Sequence, residues 1–142
     1  MLTLTLKKLT ALATIAALAA TVNGQWAFDC LNNGVAGTCA PFVDSFCDSV
    51  GTVSVRPFDN VSRCFNAESG VKCDFTTFYD SPLNSTEAGR PSVDACKQIG
   101  RIITSLCPRG GAERVTGVRG FQFYIDANVG PCTSNSVNSN PS

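Results

Sequence analysis

Near its C-terminus the chain reads Phe121-Gln122-Phe123-Tyr124-Ile125-Asp126, with Asn128 two residues on. In an extended strand, side chains two apart point to the same face, so Gln122, Tyr124 and Asp126 form one polar row, with Asn128 beside it in the turn that follows. An aromatic ring that can lie on the C–H face of a pyranose, beside planar polar groups that pair with hydroxyls, is the chemistry of metal-free carbohydrate recognition. Arg63 and Asp74, brought opposite one another by a hairpin, would extend that row. Two plainer readings stand beside this one. Tyr124 could be a half-buried tyrosine with its hydroxyl satisfied. Arg63 and Asp74 could be a solvated cross-strand pair worth about 0.2–1 kcal/mol.

Catalysis finds less support. The 142 residues contain no histidine, which removes the Ser-His and Cys-His nucleophile pairs and the histidine general base. Glycoside hydrolysis needs only two carboxylates about 5 to 9.5 Å apart, and Glu68, Asp74, Asp80, Glu87, Glu113 and Asp126 are candidates. Glu68, however, falls at a turn tip, where a solvated carboxylate is a poor acid at neutral pH. The expectation is a protein that is not an enzyme and has no cofactor.

The eight cysteines are Cys30, Cys39, Cys47, Cys64, Cys73, Cys96, Cys107 and Cys132. The closest two are eight residues apart, without the tight Cys or His pairs of a zinc site. No metal is therefore expected. An even count in an exported chain reads as a disulfide framework of up to four bridges, though spacing does not settle which cysteines pair.

Export follows from the N-terminus. Lys7 and Lys8 precede an apolar run from Leu9 to Val22, followed by Asn23 and Gly24, which reads as a secretory signal peptide over residues 1–24. The run is too short for the roughly 20 residues of a membrane span. Removing those 24 residues leaves 118, and losing two of the 11 basic residues leaves nine against 11 acidic, a net charge of −2. That sign disfavours a nucleic-acid binder, which shows a basic stripe. The product is expected to be soluble and extracellular, with one domain over residues 25–132. A Ser/Asn-rich tail at 133–142 has too few apolar residues to pack. Asn60-Val61-Ser62 and Asn84-Ser85-Thr86 are acceptor sequons for N-glycosylation.

The elements that must position these residues read as follows. Apolar positions recurring every three or four residues predict amphipathic helices over 39–50 and 92–107. Pro41 opens the first and Gly51 ends it, whereas Ser92 caps the second and Pro108 stops it. Gly100, in mid-helix, suggests close approach to a neighbour. Strands are expected near 53, 64, 74 and 123, with additional short ones suggested at 26–30 and 113–118, and a turn over 126–130. The segment 63–78 reads as a hairpin with loop 67–70. This sets Cys64 against Cys73 and Arg63 against Asp74, with both cysteines, Val71 and Phe75 on a core face and Arg63, Phe65, Lys72, Asp74 and Thr76 on the other. Segment 79–91 reads as a long exposed loop. Phe28, Phe42, Phe46, Phe75, Phe121 and Phe123 read as core, and Trp26 as a core plug or else an exposed stacking platform. The fold class is α+β, with about four antiparallel strands carrying two disulfide-tied helices.

Four segments in order, Arg63-Cys64-Phe65-Asn66, Lys72-Cys73-Asp74-Phe75-Thr76, Cys107-Pro108-Arg109-Gly110-Gly111 and Phe121-Gln122-Phe123, resemble the small secreted glycan-binding proteins of mushrooms typified by the lectin Y3. The resemblance runs from Phe28-Asp29-Cys30 to Cys132 and names no contact residue. It implies a single-domain, disulfide-stabilised αβα sandwich. It further implies binding to fucosylated or N-acetylgalactosamine-containing glycans of other organisms, toxicity to cells that carry them, and a homodimer. The expected function is thus a secreted lectin with a defensive or cytotoxic role. The alternative is a cysteine-rich toxin or effector that binds a protein target, since small disulfide-dense folds serve both uses.

Overall fold

The computed structural model describes residues 26–82, 84–115 and 120–133, with only the backbone at Trp26, Arg114 and Val115. The expected signal peptide, the tail beyond Thr133 and the role of the Trp26 side chain lie outside the described residues. Elements run β1 (Trp26–Cys30), α1 (Val43–Val50), β2 (Asn60–Asn66), β3 (Val71–Asp80), α2 (Val93–Leu106), β4 (Gly110–Val115) and β5 (Gly120–Val129).

The helices follow their apolar periodicity. A 3-10 turn at Ala40–Phe42, with proline in its first turn, leads into α1, which buries Val43, Phe46, Cys47 and Val50. In α2 the Ser92 hydroxyl accepts from the Ala95 N–H at 3.3 Å, satisfying one orphan donor of the first turn. This helix buries Cys96, Ile99, Gly100 and Ile103. The two helices meet at Gly100, where a Cβ would lie 2.7 Å from Val43 Cγ1, so a larger residue would push them apart. The Cys47–Cys96 disulfide staples the crossing. On the outer surface Arg101 forks onto Asp44 at 2.8 and 3.0 Å, and Lys97 reaches Asp48 at 2.7 Å. Solvent screens exposed pairs of this kind, so they contribute little to stability.

The sheet corrects the four-strand expectation: it has five antiparallel strands in the order β1-β4-β5-β3-β2. The short strands suggested at 26–30 and 113–118 are present as β1 and β4, the latter starting at Gly110. The strand expected near 53 is absent; Val55 makes only an isolated bridge to Gly89. The expected turn at 126–130 is likewise overturned, because β5 pairs with β3 all the way to Val129.

The αβα sandwich is also corrected. Both helices pack on one side of the sheet, giving two layers. Phe42 stacks on Phe65 at 5.2 Å, Phe46 meets Phe75 at 5.1 Å, and Phe65 meets Phe75 edge-on at 5.4 Å. Phe123, Ile125, Ala127 and Cys73 complete this core with Ile99 and Ile103 of α2. Among the described residues no helix covers the opposite side.

The hairpin exists, but one residue out of the expected register. Asn66 pairs with Lys72, Phe65 with Cys73, Cys64 with Asp74 and Arg63 with Phe75. The turn therefore spans five residues, with Ser69 in the left-handed region at φ 61° and Ala67 N–H donating to the Val71 carbonyl at 2.8 Å. A one-residue slip exchanges the faces of a strand. Phe65 enters the core, and Cys64 leaves it for the other side.

All eight cysteines are paired: Cys30–Cys107, Cys39–Cys73, Cys47–Cys96 and Cys64–Cys132. The first three lie on the helix side. The last fastens the segment after β5 to edge strand β2 on the uncovered side, where Cys132 N–H also donates to Asn66 Oδ1 at 2.7 Å.

Candidate functional site

The pairing register assembles the uncovered side as a grid. One rung runs Ser62, Thr76, Tyr124, Ala112; the next Cys64, Asp74, Asp126, Gly110; a third Asn66, Lys72, Asn128; and a fourth Asn60, Phe78, Gln122. Three strands thus place ring, hydroxyl, amide, carboxylate and ammonium groups on one surface. Directly across from Asp126 and Tyr124, β4 presents only the small residues Gly110 and Ala112.

Tyr124 is 37% exposed and donates its hydroxyl to Gln122 Oε1 at 2.7 Å. The bond fixes the ring and leaves the Gln122 amide nitrogen as a donor. Asp74 and Asp126 face each other across β3 and β5, an arrangement of like charges that would weaken the sheet if unrelieved. Lys72 Nζ lies 2.8 Å from Asp74 Oδ2, and Asn128 Nδ2 donates to Asp126 Oδ2 at 2.8 Å and more weakly to Asp74 Oδ2 at 3.5 Å. Across one rung, Ser62 and Thr76 hydroxyls bond at 2.8 Å. Carboxylate acceptors beside amide and ammonium donors, held by these cross-links, can pair with neighbouring hydroxyls of a sugar ring.

The structure therefore brings together five of the six residues singled out from the sequence: Tyr124, Gln122, Asp126, Asn128 and Asp74. It separates the sixth. Arg63 shares the helix side of β2 with Phe65 and donates to the Ser62 carbonyl at 2.9 Å. Lys72 and Thr76, expected on the same face as Asp74 but not singled out as contacts, also belong to the surface, as does Ser62, which was missed and which correct cross-strand register would have found. Both sequon asparagines, Asn60 and Asn84, are exposed, and Asn60 lies on this same face.

Glu113 behaves differently from these solvated carboxylates. It is only 2% exposed, on the helix side of β4, and its Oε2 has no hydrogen-bond partner among the described residues. Burial pushes its pKa up from the usual carboxylate range to about 7. Lying on the other side of the sheet from the grid, it does not form an acid–base pair with Asp74 or Asp126. Among the described residues no group of three or more Cys, Asp or Glu side chains could hold a metal ion.

Residues 38–132 match the family described as glycan binding domain Y3. The chain belongs to the Y3 glycan-binding domain family. It is also 39% identical over 100 residues to the antiviral protein CAP of Coprinus comatus, an alignment that covers 68% of this chain and 93% of the relative. The Y3 match contains both helices, strands β2 to β5 and three of the four disulfides. Strand β1 and Cys30 precede it. The whole polar grid falls within the Y3 domain, and the protein is accordingly a glycan-binding protein.

Proposed function

We propose that the protein is a secreted lectin that captures foreign glycans on the uncovered sheet face, with no catalysis and no cofactor. A sugar ring stacks on Tyr124 while Asp126, Asp74, Asn128 and the Gln122 amide engage its hydroxyls. The observation that carries this reading is the placement of Tyr124, exposed and fixed by Gln122, one rung from the buttressed Asp74 and Asp126 pair. Fucosylated or N-acetylgalactosamine-containing glycans are the proposed ligands, in line with the family resemblance, and defence against organisms that display them is the proposed role. Four disulfides suit an oxidising, extracellular setting, with the signal peptide removed after Gly24. Homodimerisation would add avidity through effective concentration.

The test is a glycan array probed with the mature protein and with Asp126→Ala, both produced without N-glycans so that a glycan on Asn60 does not crowd the face. Discrete hits that weaken at least about tenfold in the variant, equivalent to about 1.4 kcal/mol, support the assignment. Hits that Asp126→Ala leaves unchanged move the site elsewhere. Silence on the array rejects the lectin function.

A further inference from the structure

A groove lies on the helix side of the sheet, away from the grid. The segment 36–42 and the hairpin turn 67–71 enclose its volume of about 450 Å³, within the roughly 300–1,000 Å³ typical of small-ligand sites. Pro41, Phe42 and Val71 supply its apolar wall, and Thr38, Glu68 and Ser69 its polar rim. The Cys39–Cys73 disulfide ties one wall to the other, and Phe42 is anchored from behind by its stack on Phe65. Gly37 comes so near the floor that a Cβ would lie 2.8 Å from Val71 Cγ1. At the lip Ser69 is held in the left-handed backbone region, a conformation unfavourable for a residue with a Cβ and one that recurs at ligand clamps.

The lining chemistry narrows the occupant. An aromatic and aliphatic wall suits the C–H face of a sugar, two hydroxyls can donate or accept, and a carboxylate accepts from two adjacent hydroxyls. Among the described residues Glu68 is the one charged side chain in the lining. It favours hydroxyl donors and repels anions. We propose that this groove is a second carbohydrate subsite, taking an uncharged sugar whose neighbouring hydroxyls donate to Glu68. The proposal rests on the glycan-binding reading for its ligand class and takes nothing from the sheet-face site. Because the groove belongs to the helix layer, a single chain would hold sugars on two sides and could bridge glycans without a partner subunit.

The test follows backbone amide shifts of the isotopically labelled mature protein, disulfides intact, on titration with methyl α-L-fucoside, N-acetylgalactosamine and, separately, N-acetylneuraminic acid. Saturable shifts at Thr38, Glu68, Ser69 and Gly70 with at least one neutral sugar, and none there with the acidic one, are expected. Ala36→Trp, which fills the groove from an exposed position, and Glu68→Arg should each weaken those shifts at least tenfold while leaving any response at residues 122–128 intact. Shifts confined to residues 122–128 overturn the groove and leave the sheet-face site standing. Shifts confined to the groove do the reverse, and silence with both neutral sugars overturns both. Groove shifts that survive both variants, or that N-acetylneuraminic acid also produces, overturn the proposal.

Discussion

The two sides of the sheet are made from the same strands by alternation, yet they are built to opposite rules. On the helix side Phe65, Phe75, Phe123 and Ile125 are at most 3% exposed, and three disulfides cross to or between the covering elements. On the uncovered side side chains are tied to one another instead, Tyr124 to Gln122, Asp126 to Asn128, Asp74 to Lys72 and Ser62 to Thr76. Packing resides in the first, and the proposed recognition surface is the second, so variants on the two sides should separate cleanly.

Phe75→Ala should have the largest effect. It removes a fully buried ring in contact with two others and should cost about 3–5 kcal/mol, read as a lower denaturant midpoint. Cys47→Ala with Cys96→Ala should cost about 2–4 kcal/mol by loosening the helix pair. A loss near zero would mean that packing at Gly100 and Val43 holds the crossing unaided.

Glu113 gives a smaller effect with a definite pH signature. Between about pH 4.5 and 7 the unfolded chain has lost this proton while the folded chain keeps it. Stability from this group is therefore full below the unfolded value and declines as pH rises through about 7, by on the order of 1–3 kcal/mol. Glu113→Gln should flatten that decline and be the more stable form at pH 8, measured as thermal midpoint against pH. A variant that keeps the wild-type slope would place the titrating group elsewhere.

At the small end, Tyr124→Ala should change stability by no more than about 0.5 kcal/mol, as for exposed positions generally. Its glycan binding should nevertheless fall measurably. A large drop in thermal midpoint would make Tyr124 part of the core and erase the contrast between the two sides.

Much of this division was legible in the residues. Helical periodicity placed α1 and α2, Ser92 capped where expected, and Gly100 marked the close approach to Val43. Gln122, Tyr124 and Asp126 were read as one row from alternation alone, whereas Asn128 was assigned to a turn and joins them only because β5 continues to Val129. Failures came where non-local geometry decides. The loop 67–70 leaves no room for the fifth turn residue, and that one position moved Phe65 inward, Cys64 outward and Arg63 away from Asp74. Residues 52–55 have strand-forming side chains, but among the described residues they pair only through the Val55–Gly89 bridge. Asp126 to Val129 resembles a turn until β3 is seen to offer partners as far as Val71. Amphipathic stripes show that each helix buries one face. They do not show that both helices choose the same side of the sheet, which is why two layers replace the expected three. The disulfide pairs have the same character, since each joins residues at least 34 positions apart.

The Cys64–Cys132 bond has a practical corollary for handling the molecule. It lashes the chain to edge strand β2 just before Thr133, on the side that carries the grid. An affinity tag or surface tether fused directly after Thr133 would start beside the proposed sugar-contacting surface and shield it, so material added at that point is best kept small.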